Sequence, residues 1–490
     1  MDDTDSAGCD VSTTDVPGGD SGAVALDPER VRFDTGDGEE PPGPDGLPLL
    51  GVTLSVIRDQ LGYGERMAEE YGDVGRASVA GRTFYGLNNP ADIERVLVTE
   101  MDAFVKGELT TGKLENLSPN SLLLSEGERW TAIREALQPA FFMEQVRDYA
   151  DEMGAIGAEI TDEWTDGQRL DAEDVARTLT IRVLSRTLFG ADVRAREQTL
   201  REAAVAVRRR FDTESPAVFL PDWVPLPRIW RYRKATAALD DLVDDLIAAR
   251  RDDPDGFDDI LSELVARSET ADVLDHETLK DNAKGLLVAG HDTSAAALAT
   301  TLGLLACHSE SQRRVRDEVA DALAGHSDAT PGGATLTNLD YTDAVVREAL
   351  RLYPPAPVLY RETVDPVDVG PYTIPAGVDV SISPWVVHRD ERWWDRPETF
   401  DPSRWFGETP ADDSARERPE YAYFPFGGGP RNCIGARFAM TELKLAVAAI
   451  CQRVELDTPM EAMPEMEGGM TLSPAEPIEL VVRSRTGTTS

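Results

Sequence analysis

The sequence is poor in cysteine, poorer for its length in lysine, and has no long apolar run. Its four cysteines, Cys9, Cys307, Cys433 and Cys451, are scattered through 490 residues without a C-x-x-C pair. That spacing argues against a disulfide framework and against a zinc knuckle. Cys9 lies in an acidic stretch, while Cys307 and Cys451 sit in apolar helical patterns and read as core thiols. No window approaches the ~18 uninterrupted apolar residues of a membrane span, and the N-terminus is acidic where a secretory leader would be basic and then hydrophobic. The expectation is a cytoplasmic protein with no membrane span. Six lysines leave arginine to supply nearly all of the 49 basic side chains, which face 90 acidic ones. A formal net charge of −41 repels nucleic acid and anionic membrane, so neither is an expected partner. Molar salt shortens the Debye length to ~3 Å and screens such self-repulsion, so this composition fits a halophile, and a halophilic archaeon is the expected source.

Residues 1–40 are rich in Asp, Gly, Ser and Thr and nearly free of large apolar side chains. They cannot bury enough surface to offset the entropy of ordering, and a disordered acidic tail is expected. The Pro/Gly segment "PPGPDGLPLLG" follows, and residues 41–490 read as one domain. "VGRASVAGRTFYGLNN" alternates and turns like a hairpin. From Glu126 to about Arg316 apolar residues recur at spacings of three and four, the mark of amphipathic helices. The run is broken at 215–230, where prolines forbid a continuous helix. Short strand-like pieces, "PVDVG", "YTIPAG" and "VDVSIS", appear after residue 360, and "ARFAMTELKLAVAAICQRV" reads as a helix. The pattern predicts a mainly α (α+β) chain, a large helical body with a smaller β-rich region.

Cys433 stands in "FPFGGGPRNCIG", immediately before that last helix. Sulfur at a helix N-terminus is favoured as thiolate, because unpaired N–H groups and the helix dipole stabilise negative charge. Gly427, Gly428 and Gly429 can adopt positive φ and bring the backbone close, Phe426 offers a flat apolar surface, and Arg431 offers a guanidinium for a carboxylate. Such a loop can hold a haem. The phosphate-loop pattern G-x-x-x-x-G-K-[ST] is absent. The spacing F-x-x-G-x-R-x-C-x-G, met by Phe426, Gly429, Arg431, Cys433 and Gly435, resembles the haem-binding signature of the cytochrome P450 family. Thiolate ligation pushes electron density onto the iron and favours O–O cleavage.

Three further stretches agree in order and rough spacing. "AGHDTS" lies in a long apolar helix, where Ala289, Gly290 and Thr293 share a face. A threonine hydroxyl there can bond back to the carbonyl one turn earlier, and small residues leave room for oxygen. The stretch is similar to the family's distal-helix motif, which implies that Thr293 and Asp292 help protonate bound dioxygen and that Ala289 and Gly290 lie beside the cofactor. His291 is expected to point away. In "EALR", Glu348 and Arg351 are spaced to pair on one helix face; the resemblance implies a buried triad completed by Arg404 of "DPSRW". Trp130 and Arg134 are one turn apart, a donor pair fit for a carboxylate. The resemblance makes them propionate ligands and adds Arg361.

What the resemblance implies is a haem-thiolate monooxygenase of cytochrome P450 fold, carrying haem b (iron protoporphyrin IX) on Cys433 and Gly427 among other contacts. It would use O2 as co-substrate and take electrons from a separate ferredoxin or flavodoxin with its reductase. Arg431, Arg437 and Lys444 form a candidate docking cluster for that donor. A monomer acting on a hydrophobic small molecule is expected, with residues 104–122, 211–230, Ala289, 356–359, Met470 and Thr471 lining the pocket. The alternatives are a peroxide-using peroxygenase or isomerase of the same fold, and, from another class, a non-catalytic haem carrier or gas sensor.

Overall fold

A computed structural model describes residues 40–47, 50–107, 111–112, 117–190, 197–211, 226–324, 329–406 and 418–484. The expected tail and most of the proline-rich stretch, 212–225, lie outside the described residues. The body is helical, and its axis is a 32-residue helix, His276–Cys307, about 48 Å long at 1.5 Å per residue. Asp275 starts it by accepting the Thr278 N–H at 2.8 Å, one of the N–H groups that a helix leaves unpaired. Beyond Leu286 almost every side chain is apolar or small, and from Ser294 to Cys307 nearly all are buried, so this segment is a core helix and not an amphipathic one.

Around it pack Ala172–Phe189, Pro227–Asp252, Asp340–Leu352 and Ala436–Arg453. The last also lies against Ala150–Asp162, where a Cβ on Gly157 would come 2.9 Å from that of Ala449; only glycine permits that approach. Helix Pro227–Asp252 begins inside the stretch predicted to be broken. Pro227 occupies its first turn, where a missing N–H costs nothing.

A five-stranded sheet flanks the body, in the order Val74–Val79, Arg82–Leu87, Asp379–Ile382, Leu359–Thr363, Phe104–Val105. The expected hairpin forms its outer pair, with Val74 opposite Leu87. The pairing of Arg82–Leu87 with Asp379–Ile382 is parallel and the rest are antiparallel. A second core of Val74, Tyr85, Leu87, Phe104, Val380 and Ile382 backs this sheet.

Glu348 and Arg351 are both fully buried at the end of helix Asp340–Leu352. Arg351 Nε and Nη2 donate to the Glu348 carboxylate at 3.0 and 2.8 Å, and Arg404 Nε adds a third contact at 3.1 Å. Arg351 also donates to the carbonyls of His388, Pro397 and Thr399, tying the helix to the segment that precedes the cysteine loop. Trp405 Nε1 reaches the same carboxylate at 3.0 Å; the sequence reading did not include it. Cys451 is a buried free thiol, pushed up to about 12 by desolvation. Cys307 is disulfide-bonded, which corrects its reading as a free core thiol.

Candidate active site

The cysteine loop is shaped by two left-handed glycines. Gly427 has φ +70° and Gly429 φ +63°, a region that L side chains rarely adopt. A Cβ on Gly429 would also lie 2.1 Å from the Leu97 carbonyl oxygen. The turn closes with the Cys433 N–H donating to the Phe426 carbonyl at 2.9 Å, and helix Ala436–Arg453 starts just beyond the sulfur.

The Cys433 side chain is exposed, yet desolvation raises its thiol pKa above the ordinary range. The two agree if the sulfur faces a void inside the molecule. A Cβ on Gly435 would meet nothing within 4 Å, so the space beside the sulfur is open. Ala289, in the middle of the central helix, is likewise exposed, and Thr293 one turn later is half-exposed, while Val288, His291 and Ser294 are buried. The Gly435 amide and the Arg134 guanidinium offset part of the desolvation at Cys433. A bound metal ion would complete the shift to thiolate. No group of three or more His, Cys, Asp or Glu side chains suited to a metal occurs among the described residues. A metal on Cys433 therefore needs its other ligands from a cofactor.

Charge supplies the test of which cofactor fits. Lys106, Arg361 and Arg431 act electrostatically on one another around the single carboxylate of Glu126. Glu126 accepts the Lys106 backbone N–H at 2.7 Å and pairs with Arg431 Nη2 at 2.8 Å. Two positive charges are left over. Burial, with Arg431 alongside, lowers Lys106 to about 8 and Arg361 to about 10. Arg431 Nε is buried without a partner, although Nη1 donates to the Phe104 carbonyl at 2.8 Å. Such a cluster calls for a dianion, and the two carboxylates of a porphyrin fit it. Lys106 and Glu126 were not picked out from the sequence; the available signal was a rare lysine following a β-like "AFV" in an arginine-rich chain.

Trp130 and Arg134 come to the same region by different contacts. The Arg431 guanidinium lies 5.9 Å from the centroid of the Trp130 ring. Arg134 is spent largely on the cysteine loop, with Nη1 on the Asn432 carbonyl at 2.7 Å, Nη2 on the Asn432 side chain at 2.8 Å and Nε on Gln138 at 2.6 Å. It braces the sulfur's loop as well as being available to a carboxylate. Thr293 Oγ1 donates to the Ala289 carbonyl at 2.7 Å, and the helix runs through this turn unbroken. His291 is buried against Thr180, with Nδ1 and Oγ1 at 2.9 Å.

A Cβ on Gly290 would sit 3.4 Å from Leu184, so that direction points to the neighbouring helix, one residue's rotation from Ala289. One expectation needs correction. The basic cluster of Arg431, Arg437 and Lys444 does not form a patch. Arg431 is turned inward to Glu126, and Lys444 is held by Asp343 and the Leu336 carbonyl. Of the three, Arg437 alone is exposed.

Behind the site, Glu442 is buried on helix Ala436–Arg453. Desolvation pushes its carboxyl up to about 8, with the Ser294 hydroxyl opposing. A raised folded-state value contributes stability below the ordinary carboxylate range, and that stability is lost as pH climbs through about 8. Glu442→Gln should flatten the loss, on the order of 5 kcal/mol, seen as denaturant midpoints that no longer fall from acid to mildly alkaline pH.

The helical body, the flanking sheet and a sulfur facing a void beside a cationic cluster define a protein shaped to hold a dianionic cofactor next to a cysteine. The chain matches the family model of cytochrome P450 over residues 41–482. It is 34% identical over 424 residues to cyclooctat-9-en-7-ol 5-monooxygenase of Streptomyces melanosporofaciens, covering 84% of this chain and 88% of that protein. Pentalenene oxygenase of Streptomyces avermitilis is 31% identical over 415 residues, covering 83% and 89%. The retinoic acid-bound cyanobacterial CYP120A1 superposes with a TM-score of 0.78 at 28% identity, covering 91% of this chain and 99% of that one. The chain belongs to the cytochrome P450 family and is a haem monooxygenase that uses dioxygen with a redox partner. No helix among the described residues is long and apolar enough to cross a membrane.

Proposed function

We propose that this monooxygenase inserts one oxygen atom into a hydrophobic terpenoid. In this reading Cys433 ligates haem b, and Lys106, Trp130, Arg134, Arg361 and Arg431 hold its carboxylates. The observation that carries it is the exposed sulfur facing a void, with an exposed Ala289 and a half-exposed Thr293 on the central helix. When bound, the haem supplies thiolate-ligated iron, whose electron push favours O–O cleavage. The chain's own residues then govern protons. The Thr293 hydroxyl, donating to Ala289, keeps its acceptor lone pairs free for a proton donor. Half-exposed Asp292 can relay protons from solvent to it. That acid–threonine pair favours a dioxygen enzyme over a peroxygenase or isomerase.

Thr293→Ala should keep oxygen consumption but divert it to peroxide, lowering product per reductant by roughly tenfold or more, the scale of a lost general-acid relay. Unchanged coupling would remove Thr293 from proton delivery.

The substrate class rests on the relatives, named for cyclooctat-9-en-7-ol and pentalenene, and on the neighbour that binds retinoic acid. Difference spectra against terpenoids and fatty acids decide it, with tighter binding of fatty acids counting against. The proposal takes residues 41–490 as one haem domain behind an acidic tail. That domain works as a cytoplasmic monomer with a separate ferredoxin or flavodoxin donor. It also takes the net charge of −41 as adaptation to concentrated salt, as in a halophilic archaeon. Screening then predicts a melting temperature that rises with added potassium chloride; a flat or falling one opposes it.

A further inference from the structure

The central helix carries a polar block, "KDNAK", residues 280–284, five residues before Ala289 at its nearest end. Asp281, Asn282 and Lys284 are all buried there. Their partners lie in the 117–126 segment that leads into helix Gly127–Leu137. Asn282 Oδ1 accepts the Leu122 N–H at 2.8 Å, and its Nδ2 donates to the Thr278 carbonyl at 2.7 Å. Asp281 accepts both the backbone and the side-chain N–H of Asn120, each at 2.9 Å. A Cβ on Gly285 would be 3.5 Å from that of Ser121, so the segment is packed on the helix as well as bonded to it.

The outward side of the same segment holds Lys106. Its ammonium donates to the Leu122 carbonyl at 2.8 Å and the Ser125 carbonyl at 2.9 Å. Leu122 therefore receives the helix on its N–H and the lysine on its C=O. An ammonium has three donors; two go to these carbonyls, and the third is left for a carboxylate held beside Arg361 and Arg431, the charges that act on Lys106 together with Glu126. A flexible four-carbon stem does not place a charge by itself. Here two carbonyls place it, and the helix places the carbonyls.

We propose that Asn282 is a positioning residue for the haem carboxylates: through the Leu122 amide it fixes the segment whose carbonyls aim Lys106 at the cationic cluster. The inference rests on the haem reading above. It joins the helix that carries Asp292 and Thr293 to the charge that holds the cofactor's edge, through one residue, Leu122.

The test is a double-mutant cycle on haem release from the reconstituted protein, followed as transfer to excess apomyoglobin at neutral pH. Lys106→Met removes the charge and should speed release by about tenfold, the scale of one charge-assisted hydrogen bond. Asn282→Ala should speed release comparably. The double variant should be no faster than Lys106→Met alone, because the asparagine acts only through the lysine. Multiplicative effects, or an unchanged rate in Asn282→Ala, overturn the proposal. Asn282→Asp keeps the Oδ1 acceptor and should release haem more slowly than Asn282→Ala. If the alanine variant does not fold, Asn282→Asp in the wild-type and Lys106→Met backgrounds completes the cycle. Any rate change it causes must then vanish in the second background, and its persistence there overturns the proposal. A wild-type protein that takes up no haem would instead refute the haem reading itself.

Discussion

Cys433→Ser keeps the fold and loses the chemistry. The side chain faces open space and not the core, so its replacement removes no packing, and the melting profile of the apoprotein should be unchanged. The reduced, carbon monoxide-bound protein should lose the long-wavelength Soret band of thiolate ligation, and product formation should fall to background. The cause is ionisation. Burial already raises the thiol, and a serine hydroxyl, far less acidic, cannot be held as an anion there. Neither the Gly435 amide nor Arg134, which lower the thiol's value, changes that ordering. If the serine variant kept the wild-type spectrum and turnover, another axial ligand would have to be sought and the site as drawn would be wrong.

Arg351→Ala should prevent accumulation of folded, haem-loaded protein. It leaves the fully buried Glu348 carboxylate facing only Arg404, Trp405 and the Asp401 N–H, and it takes a donor from the carbonyls of His388, Pro397 and Thr399, the last of which keeps Arg404 Nη2. Breaking a buried pair from one side costs about 3–5 kcal/mol, a large part of the ~5–15 kcal/mol that holds a domain folded. Because those carbonyls lie on the segment that leads to the cysteine loop, haem content should fall with the denaturant midpoint. Glu348→Gln, which keeps the side chain's shape and one acceptor oxygen but sets an NH2 against donors of Arg351, leaves no unpaired buried charge on residue 348 and should be milder. Arg313→Ala is the control: its pair with Glu310 is about two-thirds exposed on both sides, and surface pairs of this kind contribute little. Equal damage from the control and from Arg351→Ala would mean that burial is not the source of the effect.

The parts of the site legible in the sequence were those built from neighbours along the chain. Phe426 to Gly435 is one loop, Ala289 to Thr293 one helical turn, and Glu348 with Arg351 another. Helical periodicity and turn chemistry act over such distances, so residue types and spacing report them directly. Lys106, Glu126, Arg361 and Arg431 are instead brought together from four separate segments. Nothing local marks Lys106 or Glu126 as belonging to a cluster with excess positive charge. The same limit explains the basic patch that failed to form. Arg431, Arg437 and Lys444 are near in sequence, but a helix and a turn send them to Glu126, to solvent and to Asp343 respectively. Gly290 adjoins Ala289 yet faces Leu184, because the helix rotates each successive residue by about 100°.

By itself the sequence determined the class of fold, and it marked the sulfur with its glycine turn and the threonine of the central helix, since each is a short-range pattern with its own chemistry. Tertiary structure alone decided which cations surround Glu126, that Trp405 joins Glu348, and that Asn282 reaches Lys106 through Leu122. These contacts join residues up to several hundred positions apart, and chain order carries no record of which distant charges folding will bury together.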